Sequence, residues 1–225
     1  MTLGLNRAAV FGSAIVYWAG VWVQARRIRH RTGRSTRTRP HGTKERLLWA
    51  GWCLVVAGWL GLPFLASEHS VLPGARIFPV LLHPIASAVG IGMLGAGYLG
   101  TLWCYAAMGD SWRMGIGRGE KTALVTRGPY RLVRHPIYLF QVVMVAAIPL
   151  LLPSGLAWLV LIIHVVCVRI KATDEELYLG NLLGGLYQDY CATTGRWFPR
   201  LRRRGLSTAG SVPSEPLDPA DQPVK

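Results

Sequence analysis

Charge of either sign is missing from long stretches of this chain. Ala8–Val23, Leu47–Ala66, Pro79–Met108 and Ile137–Val168 contain no Asp, Glu, Lys or Arg. These are not the amphipathic stripes of a soluble domain, and about 20 apolar residues suffice to cross a bilayer as a helix. An ordinary cytosolic enzyme is excluded. Cysteine is sparse and unpatterned. Cys53, Cys104, Cys167 and Cys191 include no CxxC spacing and three lie in apolar runs, so they read as buried thiols, with neither a disulfide framework nor a metal site indicated. No internal repeat appears, and no nucleic-acid-reading module accompanies the basic residues, so nucleic acid is not an expected partner. The first apolar run has the wrong polarity for a secretory leader. Only Arg7 precedes it and a strongly basic segment follows, so it is expected to stay as a helix.

What is present is positive charge, and its placement is informative. Lys and Arg number 25 against 11 Asp and Glu, a formal net charge of +14. Counted between the apolar runs, Lys and Arg alternate one, nine, one, six, none and eight along the chain. That alternation is the positive-inside pattern of five spans, with the N-terminus outside and the C-terminus cytoplasmic. A bacterial cell membrane is expected ahead of the endoplasmic reticulum. Anionic membrane lipid is a second partner for the same charge.

The expected architecture is therefore an all-α integral membrane helical bundle of about five transmembrane helices with a C-terminal helical hairpin. Helix one covers about Ala8–Gln24 and helix two about Leu47–Ala66, where Trp49, Trp52 and Trp59 read as interface anchors. Helix three takes much of Pro79–Met108, and its glycines at 90, 92, 95, 97 and 100 suit close helix contact. Ile137–Val168 is broken at Leu152-Pro153-Ser154-Gly155 into a hairpin. Its second arm either stops short or continues through Arg169, which would set Asp174-Glu175-Glu176 at the cytoplasmic boundary. Tyr178–Tyr190 reads as helical. Residues 1–204 form one membrane domain, with its motifs in 124–201, and 205–225 reads as a disordered tail.

Two pieces carry chemistry. In LVTRGPYRLVRHPIYL, Gly128-Pro129 makes a turn and Pro136 suits the first position of a helix. Arg131, Arg134, His135 and Tyr138 then crowd a helix N-terminus, where free N–H groups favour an anion. Anchoring to lipid head groups accounts for the same residues equally well. The second piece is Arg169 followed by Glu175 and Glu176. On a continued helix Arg169, Thr173 and Glu176 share a face. Locally, Thr173 to Glu176 also matches a capping box opening a separate surface helix, and this reading is the favoured one. Asp110-Ser111-Trp112-Arg113 is a loop motif without an assigned role. His83 reads as sitting near a helix end, and His164 as bonding a neighbouring helix.

Taken together, GPYRLVRHPIY, an apolar hairpin, Glu175-Glu176, Tyr187, Tyr190 and Phe198-Pro199 stand in an order that resembles the isoprenylcysteine carboxyl methyltransferase family, which shares its C-terminal signature with phospholipid N-methyltransferases. The resemblance covers roughly the last 80 ordered residues. It implies an integral membrane enzyme binding S-adenosyl-L-methionine at the cytoplasmic ends of its last helices. Carried over by position, it assigns cofactor binding to Tyr130, Arg134, His135, Pro136, Tyr138, Glu175 and Glu176. Arg169 and Glu175 become the catalytic candidates, with Lys171 an alternative to Arg169. Phospholipid methyltransferases also use a glycine motif in an earlier helix, to which Gly90-Ile91-Gly92 or Gly95-Ala96-Gly97 would correspond. Helix packing is the favoured reading of those glycines.

The implied partner is a lipophilic small molecule or lipid, with no obligate protein partner indicated and no metal required. A carboxylate acceptor is ionised at neutral pH and needs no base. An amine acceptor needs one, and Glu175 or Glu176 is placed to serve. The competing classes are an NADPH-dependent membrane reductase of the sterol type, against which the glutamate pair speaks, and a non-enzymatic membrane protein.

Overall fold

The computed structural model describes residues 3–33, 42–112 and 124–200, and these are helical almost throughout. Six helices follow in order: α1 (Leu3–Thr32), α2 (Gly42–Leu65), α3 (Pro84–Met108), α4 (Pro136–Leu151), α5 (Gly155–Leu183) and α6 (Gly185–Thr193). Four of them, α1, α2, α3 and α5, are long and apolar enough to cross a membrane. The chain is an all-α, multi-pass membrane bundle.

Helix α4 is the exception in length and the centre in packing. Its 16 residues reach about 24 Å, short of the ~30 Å hydrocarbon core. Pro136 fixes its start, and the Leu152-Pro153 step closes it. Met144, Val145, Ala147, Ile148 and Leu151 are all buried. A helix apolar on every side belongs inside a bundle, and α4 touches α1, α3 and α5.

The α3–α4 seam is cut by glycine. A Cβ on Gly90 would lie 2.8 Å from Leu151 Cγ, and one on Gly97 or Gly100 would overlap Met144 or Phe140. Gly92 and Gly95 meet nothing within 4 Å. Packing thus accounts for three of the five glycines. The α2–α5 seam repeats the device, with Gly51 2.6 Å from Cys167 Sγ by the same measure and Gly58 against Val160.

The bundle ends confirm an up-and-down order. At one end the start of α1 meets the start of α3 and the ends of α2 and α4. Asn6 Nδ2 donates to Ser87 Oγ at 2.9 Å and to the Leu151 carbonyl at 3.0 Å, while Arg7 Nη2 donates to the Ala66 carbonyl at 2.5 Å. At the other end Arg31 pairs with Asp110 across α1 and α3 at 3.5 Å, and Lys44 at the start of α2 pairs with Asp174 of α5 at 2.5 Å.

Several expectations need correction. Thr173 to Glu176 opens no new helix. α5 runs unbroken through it, and Thr173 Oγ1 donates back to the Arg169 carbonyl at 2.9 Å instead of capping. Burial of Ala172 on the bundle side adds packing that a local pattern does not register. The break comes later, at Gly184, whose φ of +53° a side chain would resist. Trp59 is buried, donating to Ser13 Oγ at 3.1 Å, so it fastens α2 to α1 instead of anchoring at an interface. Helix α1 runs on to Thr32, because its arginines extend the helix while their long stems reach outward. As expected, helix α3 lies within Pro79–Met108, starting at Pro84, and His83 sits at its end, with Nδ1 accepting from Ile85 N–H at 3.2 Å. His164 is buried with no hydrogen-bond partner among the described residues, and packs edge-on to Trp52 at 5.1 Å. Cys104 and Cys167 are buried, whereas Cys53 is exposed on the outside of the bundle. Asp110 and Trp112 tie α3 to α1 and to Tyr105, which gives that loop a structural use; Arg113 and the 205–225 tail lie outside the described residues.

Candidate active site

The site forms where the start of α4, the polar third of α5 and the chain after α6 converge. Glu175 and Glu176 lie beyond the charge-free part of α5, which ends at Val168, on its polar C-terminal third.

Local chemistry sets the opposing wall. Gly128, with φ +60°, turns the chain into a short 3-10 segment, Gly128–Arg131. Arg127 Nε donates to the Ala107 carbonyl at 2.8 Å, capping the end of α3, and Tyr130 OH reaches Met108 Sδ at 2.9 Å. Burial pushes the Tyr130 hydroxyl well above its ordinary pKa. Pro136 lacks an N–H that the first helical turn does not need. His135, just before it, makes no capping bond with its side chain, which leaves the imidazole to face α5.

The imidazole is buried at 4% exposure and meets both carboxylates. Its Nε2 lies 3.1 Å from Glu176 Oε1, and its Nδ1 lies 3.8 Å from Glu175 Oε2. Tyr138, one turn on, donates to Glu175 Oε2 at 3.1 Å and stacks on the His135 ring at 5.6 Å. Arg134 Nε donates to Glu176 Oε1 at 2.9 Å and its Nη1 to the Thr194 carbonyl at 2.6 Å. Burial works against the Arg134 charge, but the bond to Glu176 outweighs it and raises the guanidinium pKa.

The chain after α6 completes the wall. Arg134 N–H donates to the Gly195 carbonyl at 2.8 Å, and Tyr190 OH to the Tyr130 carbonyl at 2.6 Å. Arg196 Nε stands 3.2 Å from Glu176 Oε1, and the Trp197 ring lies 5.7 Å from that of His135. Burial raises the Tyr187 and Tyr190 hydroxyls above the usual tyrosine range, and Tyr187 OH has no partner among the described residues.

Most residues singled out by sequence are thus brought together: Tyr130, Arg134, His135, Pro136, Tyr138, Glu175 and Glu176. Arg169 is not. It is exposed and continues the stripe of exposed Leu159, Ile162 and Val166 on α5. Neither it nor Lys171 forms an ion pair with the glutamates among the described residues; the cations that do are Arg134 and Arg196. Arg196 and Trp197 were missed. Their only signal was position, between Gly195 and the Phe198-Pro199 pair.

Chemically, the wall offers two carboxylates and two aromatic faces. Both glutamates use one oxygen for all the contacts given above. Glu175 keeps 35% and Glu176 21% of its side chain exposed. Such a set suits an ammonium or vicinal hydroxyls beside a flat ring.

Residues 85–184 match the family model described as phospholipid methyltransferase. A curated relative, the cobalt-zinc-cadmium resistance protein CzcN of Cupriavidus metallidurans, is 30% identical over 165 residues, covering 70% of this chain and 66% of that protein, just under two thirds of its length. The matched residues run from α3 to the end of α5, in keeping with the resemblance carried by the motifs.

Proposed function

We propose that the chain is a membrane methyltransferase that uses S-adenosyl-L-methionine and a lipophilic acceptor. The observation that carries this reading is the joint engagement of Glu175 and Glu176 by His135 from the α4 N-terminus. The residues fit the cofactor by their chemistry. Glu175 Oε1 and Glu176 Oε2 are left for its ammonium or ribose hydroxyls, Tyr138 and His135 hold the carboxylates in place, and Trp197 offers a ring face. Arg134 and Pro136 set His135. Tyr130 supports them from beneath. When bound, the cofactor supplies a sulfonium methyl group for in-line displacement.

The protein's part is alignment and exclusion of water. Holding two reactants in line can supply roughly 7–11 kcal/mol of the barrier. A site at the membrane edge admits a soluble donor from one side and a lipid from the other. The acceptor is first a carboxylate of the isoprenylcysteine type, already anionic and needing no base. The alternative is a phospholipid amine, favoured by the description of the matching family model. For an amine, Glu175 takes the proton. We place the basic ends in the cytoplasm, the N-terminus outside, and the chain in a bacterial cell membrane.

Calorimetric titration of the detergent-purified chain with S-adenosylhomocysteine tests this, with NADPH alongside. Saturable binding is expected, weakened about 10- to 100-fold by His135→Ala and by Glu175→Gln, since each removes a bond to a charged group. No binding by the parent, or NADPH binding in its place, would overturn the reading. Methyl label in extracted lipid then separates the acceptors, because an ester releases it in base and an amine does not.

A further inference from the structure

Glu176 has more cationic company than its charge requires. Arg134 Nε at 2.9 Å, His135 Nε2 at 3.1 Å and Arg196 Nε at 3.2 Å all gather on the one oxygen, Oε1. One guanidinium would neutralise the carboxylate. Three nitrogens on one oxygen, from two separate parts of the chain, fix the plane in which the other oxygen points.

We propose that Arg196 is a positioning residue of this site, clamping Glu176 Oε1 so that Oε2 is presented to the cofactor's ammonium or hydroxyl groups. This rests on the methyltransferase reading above. Two observations support it. First, Arg196 grips α5 at two points, Glu176 and Thr173, whose Oγ1 accepts from Arg196 Nη2 at 2.7 Å. Those residues are three apart and lie on one helix face, so the fork spans a single turn and registers the segment after α6 against α5. Second, its backbone is anchored. Arg134 holds the carbonyls of Thr194 and Gly195 just before it, and Trp197 just after it packs near His135.

A simple surface ion pair is the competing account, since Arg196 is 33% exposed and such pairs contribute little. The two accounts differ in what they predict for binding. Full-length variants Arg196→Gln, Arg196→Lys, Thr173→Val, Glu176→Gln and Arg196→Gln/Glu176→Gln are titrated with S-adenosylhomocysteine, each with its unfolding temperature. We expect Arg196→Gln to weaken binding at least tenfold, Arg196→Lys to be intermediate, and Thr173→Val to lose a few-fold. The double variant should bind no more weakly than Glu176→Gln alone, because the arginine acts only through that carboxylate. Equal binding by parent, Arg196→Gln and Arg196→Lys would overturn the proposal, as would full multiplicative losses in the double variant. If Arg196→Gln fails to fold, Arg196→Lys and Thr173→Val decide, and parent-like binding by both overturns it. A parent that binds no S-adenosylhomocysteine removes the underlying reading and the proposal with it, whereas a binding parent indifferent to Arg196 removes the proposal alone.

Discussion

The two ends of the bundle use polar side chains in different ways. At the far end Asn6 and Arg7 spend their donors on the Leu151 and Ala66 carbonyls, groups that the ends of α4 and α2 leave unpaired. Nearby, Ser154 Oγ caps the start of α5 by accepting from Ala157 N–H at 3.3 Å, and Phe78 N–H donates to the Pro153 carbonyl at 2.9 Å. Apart from Asn6 Nδ2 to Ser87 Oγ, each of these bonds involves a backbone group, and none involves a carboxylate. At the site end, side chains with ionisable groups face each other: Arg134, His135, Tyr138 and Arg196 against Glu175 and Glu176. The first pattern satisfies the fold. The second holds charge in a fixed arrangement with oxygens to spare, which a fold alone does not need. The proposed function is placed at one end by the kind of partner and not by the number of polar groups.

The largest effect that would sharpen this contrast belongs to Asn6, buried at 1% exposure and joining three helices. Asn6→Ala leaves the Ser87 hydroxyl and the Leu151 carbonyl without that donor. A buried group deprived of its partner costs about 1–3 kcal/mol. We expect a lower unfolding temperature in detergent with unchanged S-adenosylhomocysteine affinity below it. Weakened affinity at unchanged stability would break the division between the ends.

A middle-sized effect tests the scaffold of the site end. Tyr190→Phe removes the bond to the Tyr130 carbonyl and should cost about 1 kcal/mol, with a several-fold loss of affinity because the chain after α6 is loosened. The same residue gives a pH signature. Burial, the main cause, raises its folded-state pKa above the unfolded value. Its contribution to stability is therefore complete below about pH 10, the unfolded tyrosine value, and is lost as pH rises through the folded value. Chemical unfolding followed from pH 8 to 11 should show an alkaline loss that is shallower in Tyr190→Phe. Parallel curves for parent and variant would deny Tyr190 this role.

The sequence disclosed the two ends unequally. The bundle was legible, because uncharged runs and alternating basic loops follow from the cost of charge in hydrocarbon, and the turn at Pro153 follows from a missing donor. The gathering of His135 with the glutamates was legible only through the resemblance, since 39 residues, most of them apolar, lie between His135 and Glu175. Continuation of α5 was hidden behind a local capping pattern that packing overrides. Arg196 stayed hidden for a similar reason: an arginine just after α6 carries no local mark of the turn that brings it back to α5. Trp59 misled because tryptophan prefers interfaces on average, while its partner Ser13 lies on another helix.

The smallest effect falls on a contact at the site end that belongs to neither pattern. Lys44 and Asp174 pair at 2.5 Å, adjacent in sequence to the glutamates, but Lys44 keeps 63% of its side chain exposed. Asp174 takes Lys44 alone, with no arginine, histidine or second cation gathered on it among the described residues. An ion pair so exposed is screened by solvent and salt and is worth at most about 1 kcal/mol. Lys44→Ala should therefore move the unfolding temperature little and leave S-adenosylhomocysteine affinity within twofold of the parent, even though Asp174 is the immediate neighbour of Glu175. A tenfold loss of affinity would mean that proximity along α5, and not the convergence of buried partners on one carboxylate, is what marks the residues of the site.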